Sequence, residues 1–216
     1  MTTRDMLRGL PVLAHEMPSF DPTDAPDAPV PLFASWFATA VTAGVDEPHA
    51  MTVSTVDGDG FPDARVLILK DLDDDGWAFA TSATSAKGRQ LAGNPRVALT
   101  FHWRELGRQV RVRGLAGPAD PALSRQDFLA RPFGSRVATL TGRQSEPLAD
   151  RAALEIAFAR SRALIGADPD LVAESHTVYR VRPETVEFWQ ADRERRHVRL
   201  RYRRSPDGWD RELLWP

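Results

Sequence analysis

The 216-residue chain contains no cysteine, which excludes disulfides, thiolate metal sites and cysteine nucleophiles. No apolar stretch approaches the ~20 residues a membrane helix needs, and the N-terminus lacks the apolar core of a signal peptide. A soluble, cytoplasmic protein is therefore expected. Several signatures are also missing: no G-x-G-x-x-G after a strand, no Walker-type loop, no H-E-x-x-H and no G-x-S-x-G. The histidines His15, His49, His102, His176 and His197 are scattered without metal-ligand spacing, so no metal is expected. A net charge of −2 gives no general pull toward nucleic acid or an anionic membrane.

Lysine is almost absent. Of 28 cationic Lys and Arg residues, only Lys70 and Lys87 are lysines. A compact ammonium and a planar guanidinium are not interchangeable where an anion is met in a tight space. Lys70 ends the run 65–70, which reads as a strand. Lys87 follows a strand end entering a helix. Both are suitable places to hold a phosphorylated ligand.

What is present reads as one substantial domain, with 42% hydrophobic and 27% charged residues. Residues 1–28 are rich in Pro, Asp and Thr, and are expected to form a flexible segment or lid without regular structure. Residues 29–216 then form a single domain. Leu32, Phe33, Trp36, Phe37, Ala40 and Val41 recur at helical spacing up to Gly44. Short strands are expected at 51–56, 65–70, 77–81, 97–103 and 109–114. Ser85 is a candidate N-cap for a helix ending near Asn94. Helices follow at 121–130 and 148–165, then strands at 176–181, 186–189, 198–203 and 209–214. Short strands, tight turns and interspersed helices point to a mainly β antiparallel barrel with helices packed on it.

Candidate chemistry lies in cations and amides at strand ends. Arg65 and Lys70 are five apart, so on a regular strand they point to opposite faces unless a bulge intervenes. Gln109, Gln144 and Ser145 are neutral donors suited to a heteroaromatic edge or a phosphate. On an extended segment Arg195, His197 and Arg199 share one face. The stretch 193–204 carries seven arginines, interrupted by His197, Leu200 and Tyr202; taken alone it reads first as a solvated edge strand.

Nine segments then appear in one order: M-T-V-S-T-V-D, R-V-L-I-L-K, S-x-K-G-R-Q-L-x-x-N-P, G-R-Q-V-R-V-x-G, R-P-x-G-S, R-Q-S, E-F-W-Q, R-x-H-x-R-L-R-Y and a terminal L-x-P. From Pro48 to Pro216 the chain resembles the FMN-dependent pyridoxine/pyridoxamine 5'-phosphate oxidases. The resemblance implies an FMN-binding split β-barrel that forms a homodimer, with FMN in a cleft between the subunits. It implies FMN contacts from Arg65, Lys70, Thr81, Lys87, Gln109, Gln144, Ser145, Trp189 and Arg199. Substrate contacts would come from Lys70, Arg131, Ser135, Arg195 and His197, the last two lying beside the reacting ring as the catalytic pair. The substrate would be a phosphorylated pyridine and the final oxidant molecular oxygen. Three positions depart from the family pattern: Ala86 replaces an arginine, Asp127 a tyrosine, and Val198 an acid. These departures keep open an oxidase of another cyclic substrate, as in the phenazine pathway, or a flavin- or pyridoxal-phosphate-binding protein without turnover.

Overall fold

Strand signals and turn residues account for most of the architecture in the computed structural model, which describes residues 1–216. Helix α1 (Thr3–Gly9) precedes α2 (Pro29–Thr42), which starts at a proline, where the missing N–H costs nothing. Strands β1 (Ala50–Val56), β2 (Pro62–Asp73) and β3 (Gly76–Ser82) follow, then α3 (Ala86–Gly93). Strands β4 (Arg96–Trp103) and β5 (Arg108–Pro118) precede α4 (Pro121–Ala130), α5 (Phe133–Leu140) and α6 (Arg151–Ala167). The chain closes with β6 (His176–Gln190), β7 (Val198–Ser205) and β8 (Gly208–Leu213). The strand order is β3-β2-β1-β4-β5-β6-β7-β8, and β3 also pairs with β6. That extra pairing closes six strands into a ring, leaving β7 and β8 as an extension, and every pairing whose register is resolved is antiparallel.

Contacts divide the chain into two compact units. One comprises Met1–Met51, Thr100–Val112 and Glu184–Pro216; the other comprises Thr52–Leu99 and Arg113–Pro183. The core of the first is aromatic. Trp36 meets Phe20 and Phe188 edge-on at 5.0 and 5.2 Å, and Phe188 in turn meets Tyr202. In the second, Phe79 stacks on Tyr179 across the β3–β6 pair, and Trp77 and Phe128 are fully buried. No helix is long and apolar enough to cross a membrane.

Several expectations are corrected. Residues 3–9 are helical because Thr2 and Asp5 form a reciprocal capping box. Helix α5 begins directly after Pro132, whose fixed φ favours a helix start and whose neighbour Gly134 does not break it. The strands expected at 176–181 and 186–189 are one strand running through Pro183, opposite which Gly114 leaves room for the Arg182 carbonyl. The stretch expected to extend from Arg195 is a turn as far as His197. Asp192 accepts from the Glu194 and Arg196 N–H groups at 2.8 and 3.2 Å, and Arg195 sits at φ +67°. Its side chain therefore does not share a strand face with Arg199.

Candidate active site

The first cluster is built on the N-terminus of α3. Ser85 caps that helix, accepting from the Gly88 N–H at 3.2 Å, as its sequence position suggested. Gly88 is needed because a Cβ there would collide with the Ser82 and Ala83 carbonyls, so the first turn lies tight on the end of β3. Lys87 is consequently buried, at 5% exposure. Its Nζ meets only hydroxyls, Thr81 Oγ1 at 3.2 Å and Ser85 Oγ at 3.5 Å. Burial lowers its pKa, the nearby Arg65 lowers it further, and Asp63 opposes both. Arg65 donates to Thr55 Oγ1 at 2.7 Å and Gln90 Oε1 at 3.3 Å, and pairs with Asp63. Ser145, at φ +74°, brings its hydroxyl to the Ala86 N–H at 3.5 Å. Arg65, Thr81, Lys87 and Ser145 thus gather around one helix N-terminus whose buried ammonium touches no carboxylate. A phosphate would supply the missing charge to Lys87 and accept from the helix amides.

The second cluster surrounds Lys70. The β2–β3 register shifts between Leu69 and Asp71, so Lys70 is the extra residue of a β-bulge. The alternation that would separate Arg65 from Lys70 is interrupted at Lys70 itself. Its Nζ lies 3.3 Å from Asp127 Oδ1 on α4, while Asp127 Oδ2 lies 2.8 Å from Nε2 of His176 on β6. Burial pushes the Asp127 carboxyl up, but His176 and Lys70 outweigh it and the net shift is downward. Arg131, just past the end of α4, donates to Thr139 Oγ1 at 2.6 Å. Burial lowers its pKa and the Asp127 charge opposes this. Thr139 in turn donates to the Ser135 carbonyl at 2.9 Å. A cavity of about 490 Å³ is walled by Thr81, Arg131, Thr139, Gln144 and His176 among others. Lys70, Asp127 and Ser135 stand outside that wall.

The remaining candidates belong to the other unit. His197 tilts against Trp189 with ring centroids 4.9 Å apart, and its Nδ1 accepts the Asp192 N–H at 3.0 Å. The neutral ring then carries its proton on Nε2. Arg199 donates through two nitrogens to Glu187 Oε1, at 3.0 and 2.9 Å, and to the Trp215 carbonyl at 2.9 Å. Gln109 is half-buried on β5, and Arg195 is exposed in the turn. His176 was legible only as a scattered histidine, and no spacing pairs it with Asp127, 49 positions away.

An antiparallel ring of strands, with cations gathered at strand ends and at a short helix N-terminus, defines an FMN-binding split barrel. Residues 37–165 match the pyridoxamine 5'-phosphate oxidase family, and residues 176–216 match the pyridoxine 5'-phosphate oxidase C-terminal dimerisation region. The chain belongs to the pyridoxine/pyridoxamine 5'-phosphate oxidase family. It is 43% identical over 194 residues to the pyridoxine/pyridoxamine 5'-phosphate oxidase of Janthinobacterium sp. (strain Marseille), covering 89% of this chain and 92% of that protein. Identity to the Thermosynechococcus vestitus enzyme of the same name is 44%, covering 90% and 92%. Among solved structures, PhzG from Burkholderia lata 383, in complex with tetrahydrophenazine-1-carboxylic acid, superposes with a TM-score of 0.86 at 33% identity. That match covers 93% of this chain and 99% of PhzG. A pyridoxamine 5'-phosphate oxidase-related, FMN-binding protein from Nostoc punctiforme shares the fold at a TM-score of 0.70 and 18% identity, covering 85% of this chain and 97% of that one.

Proposed function

We propose that this protein is a homodimeric oxidase that converts pyridoxine 5'-phosphate or pyridoxamine 5'-phosphate to pyridoxal 5'-phosphate, with FMN as cofactor. The observation that carries this reading is Lys87, a buried ammonium at a helix N-terminus with no carboxylate against it. Lys87, Arg65, Thr81 and Ser145 would hold the FMN phosphate. Gln109, Gln144, Trp189 and Arg199 complete the set of cofactor contacts. FMN, when bound, supplies the two-electron acceptor for a hydride from the substrate carbon, and molecular oxygen carries those electrons off as hydrogen peroxide.

The chain's own part is positioning. Lys70, Arg131 and Ser135 receive the substrate's phosphate, so the reacting carbon is placed by a distant anchor. Arg195 and His197 meet the pyridine ring. With Nδ1 taken up by the Asp192 N–H, His197 offers an Nε2–H to the substrate and acts as a hydrogen-bond donor. That arrangement argues against His197 as the base that removes the hydroxyl or ammonium proton. The dimerisation region at 176–216 supports a two-subunit site, because Trp189, Arg195, His197 and Arg199 all lie in it.

Anaerobic mixing of the FMN-loaded protein with pyridoxine 5'-phosphate tests the reading. Bleaching of the flavin's visible band, reversed by air with release of peroxide, is the expected result. A band that persists would rule this substrate out. A second reading, oxidation of a carboxylated cyclic substrate, is favoured by one feature: Lys70 already carries a carboxylate partner. Bleaching by a dihydro- or tetrahydrophenazine carboxylate but not by pyridoxine 5'-phosphate would select it.

A further inference from the structure

Asp127 stands against Lys70, the lysine that would anchor the substrate phosphate. Its two oxygens are each engaged once, by Lys70 at 3.3 Å and by His176 at 2.8 Å. A carboxylate has about four acceptor sites, so each oxygen keeps capacity for another donor. The charged groups facing Asp127 are Lys70 from β2, His176 from β6 and Arg131 from the end of α4. Arg136 of α5 lies over the Phe128 ring, next along the chain. With a neutral His176, Lys70, Arg131 and Asp127 leave one net positive charge. A phosphate ester is close to a dianion above its second ionisation, at about pH 6. Brought to Lys70 in that form, it would set its charge beside the Asp127 carboxylate on a shared ammonium. Two anions sharing a site favour holding a proton between them.

His176 is poorly placed to take that proton. Its side chain is 1% exposed, Nε2 already serves Asp127, and Nδ1 has no hydrogen-bond partner. A second ring proton would be a buried donor without an acceptor, which is costly. The ligand is the remaining carrier.

We propose that Asp127 is a specificity-determining residue that selects the singly charged hydrogen phosphate ester, whose P–OH donates to the Asp127 carboxylate while Lys70 and Arg131 bind the other oxygens. His176 is the positioning residue that holds Asp127 in place. Each ligand bound above neutral pH then brings one proton from solvent. The inference rests on the reading of Lys70 and Arg131 as the phosphate anchor and says which charge state that anchor takes.

The test uses FMN-loaded protein and 4-deoxypyridoxine 5'-phosphate, which lacks the oxidisable group. Calorimetry in buffers of different ionisation heat counts the protons taken up on binding. At about pH 8 the wild-type protein should take up one proton more per ligand than Asp127→Asn. Between about pH 7 and 9 its affinity should fall about tenfold more steeply per pH unit than that of the variant. A check without any variant compares the phosphate with the corresponding sulfate ester, a monoanion throughout this range, which should bind with one proton fewer. Equal counts in either comparison overturn the proposal. His176→Gln, whose amide can still donate to Asp127, should retain the extra proton; its loss together with an Asp127→Asn variant that keeps it would place the proton on the ring and overturn the assignment to the phosphate. Failure of the phosphate analogue to bind at all would sink the phosphorylated-pyridine reading, and this inference with it. Binding without the extra proton sinks this inference alone.

Discussion

The two lysines are held in opposite ways. Lys87 is buried at the start of α3 among hydroxyls, beside a second cation. Lys70 is a third exposed on a bulge, with a carboxylate already against it. A phosphate arriving at Lys87 relieves a burial penalty that the folded chain carries without it. One arriving at Lys70 must share the ammonium with Asp127. The difference fits a resident cofactor at one place and an exchanging substrate at the other. Tight retention suits an uncompensated charge, and turnover suits a compensated one.

The largest effect that would break this contrast is at Lys87. Lys87→Met should weaken FMN binding by about ten- to a hundredfold, the worth of a charge-assisted hydrogen bond of ~1.5–3 kcal/mol, as read by quenching of flavin fluorescence. The FMN-free variant should melt no lower than the wild type, since a buried, unpaired charge has been removed. A variant that keeps its FMN affinity would remove Lys87 from the cradle. The wild type carries the same signature in its pH dependence. The folded pKa of Lys87 lies below its ordinary 10.5, so the unfolded chain binds more protons in that window. Stability of the FMN-free protein should therefore rise as pH climbs through the lowered value, while FMN affinity falls.

Gly88→Ala comes next. The added Cβ meets two carbonyls and should cost ~1–3 kcal/mol of stability, with FMN binding weakened in step because the first turn of α3 must move; a thermal melt reads it. At the other lysine, Arg131→Met should raise KM for pyridoxine 5'-phosphate about tenfold with a smaller change in kcat. Equal falls in kcat and kcat/KM would show that Arg131 acts only in the transition state. The smallest effect is on acid stability. The folded Asp127 carboxyl lies below its ordinary 3.8, so its contribution is present above that value and lost as pH falls through the lowered one. The melting difference between wild type and Asp127→Asn should hold down to about pH 5 and shrink only as pH falls further, past the ordinary 3.8.

Much of this contrast was legible in the amino acids, because local rules dominate there. The Ser85 cap and the span of α4 follow from residues that satisfy their own neighbours. The possibility of a bulge between Arg65 and Lys70 was readable; its position at Lys70 was not, since register is set by the partner strand. The turn at 191–197 was hidden because arginine and histidine carry little turn preference, and only Asp192 signalled it. The Asp127–His176 contact joins α4 to β6 and depends on tertiary packing. Lys87 could be singled out from its place at a helix start, yet its burial without a counter-ion depends on the close approach that Gly88 permits.

The bulge at Lys70 has a consequence for how the gene can vary. Side chains on a strand alternate between faces, so one inserted or deleted residue reverses every position beyond it. The extra residue at Lys70 sets the phase of the last part of β2, including Asp71 and Asp73, which pair with Arg180 at 3.0 and 2.5 Å. Removing one codon there would make the ladder regular while turning those acids away from their arginine. Length variation should therefore accumulate in the turns at either end of β2, while its interior tolerates substitution but not a change of count.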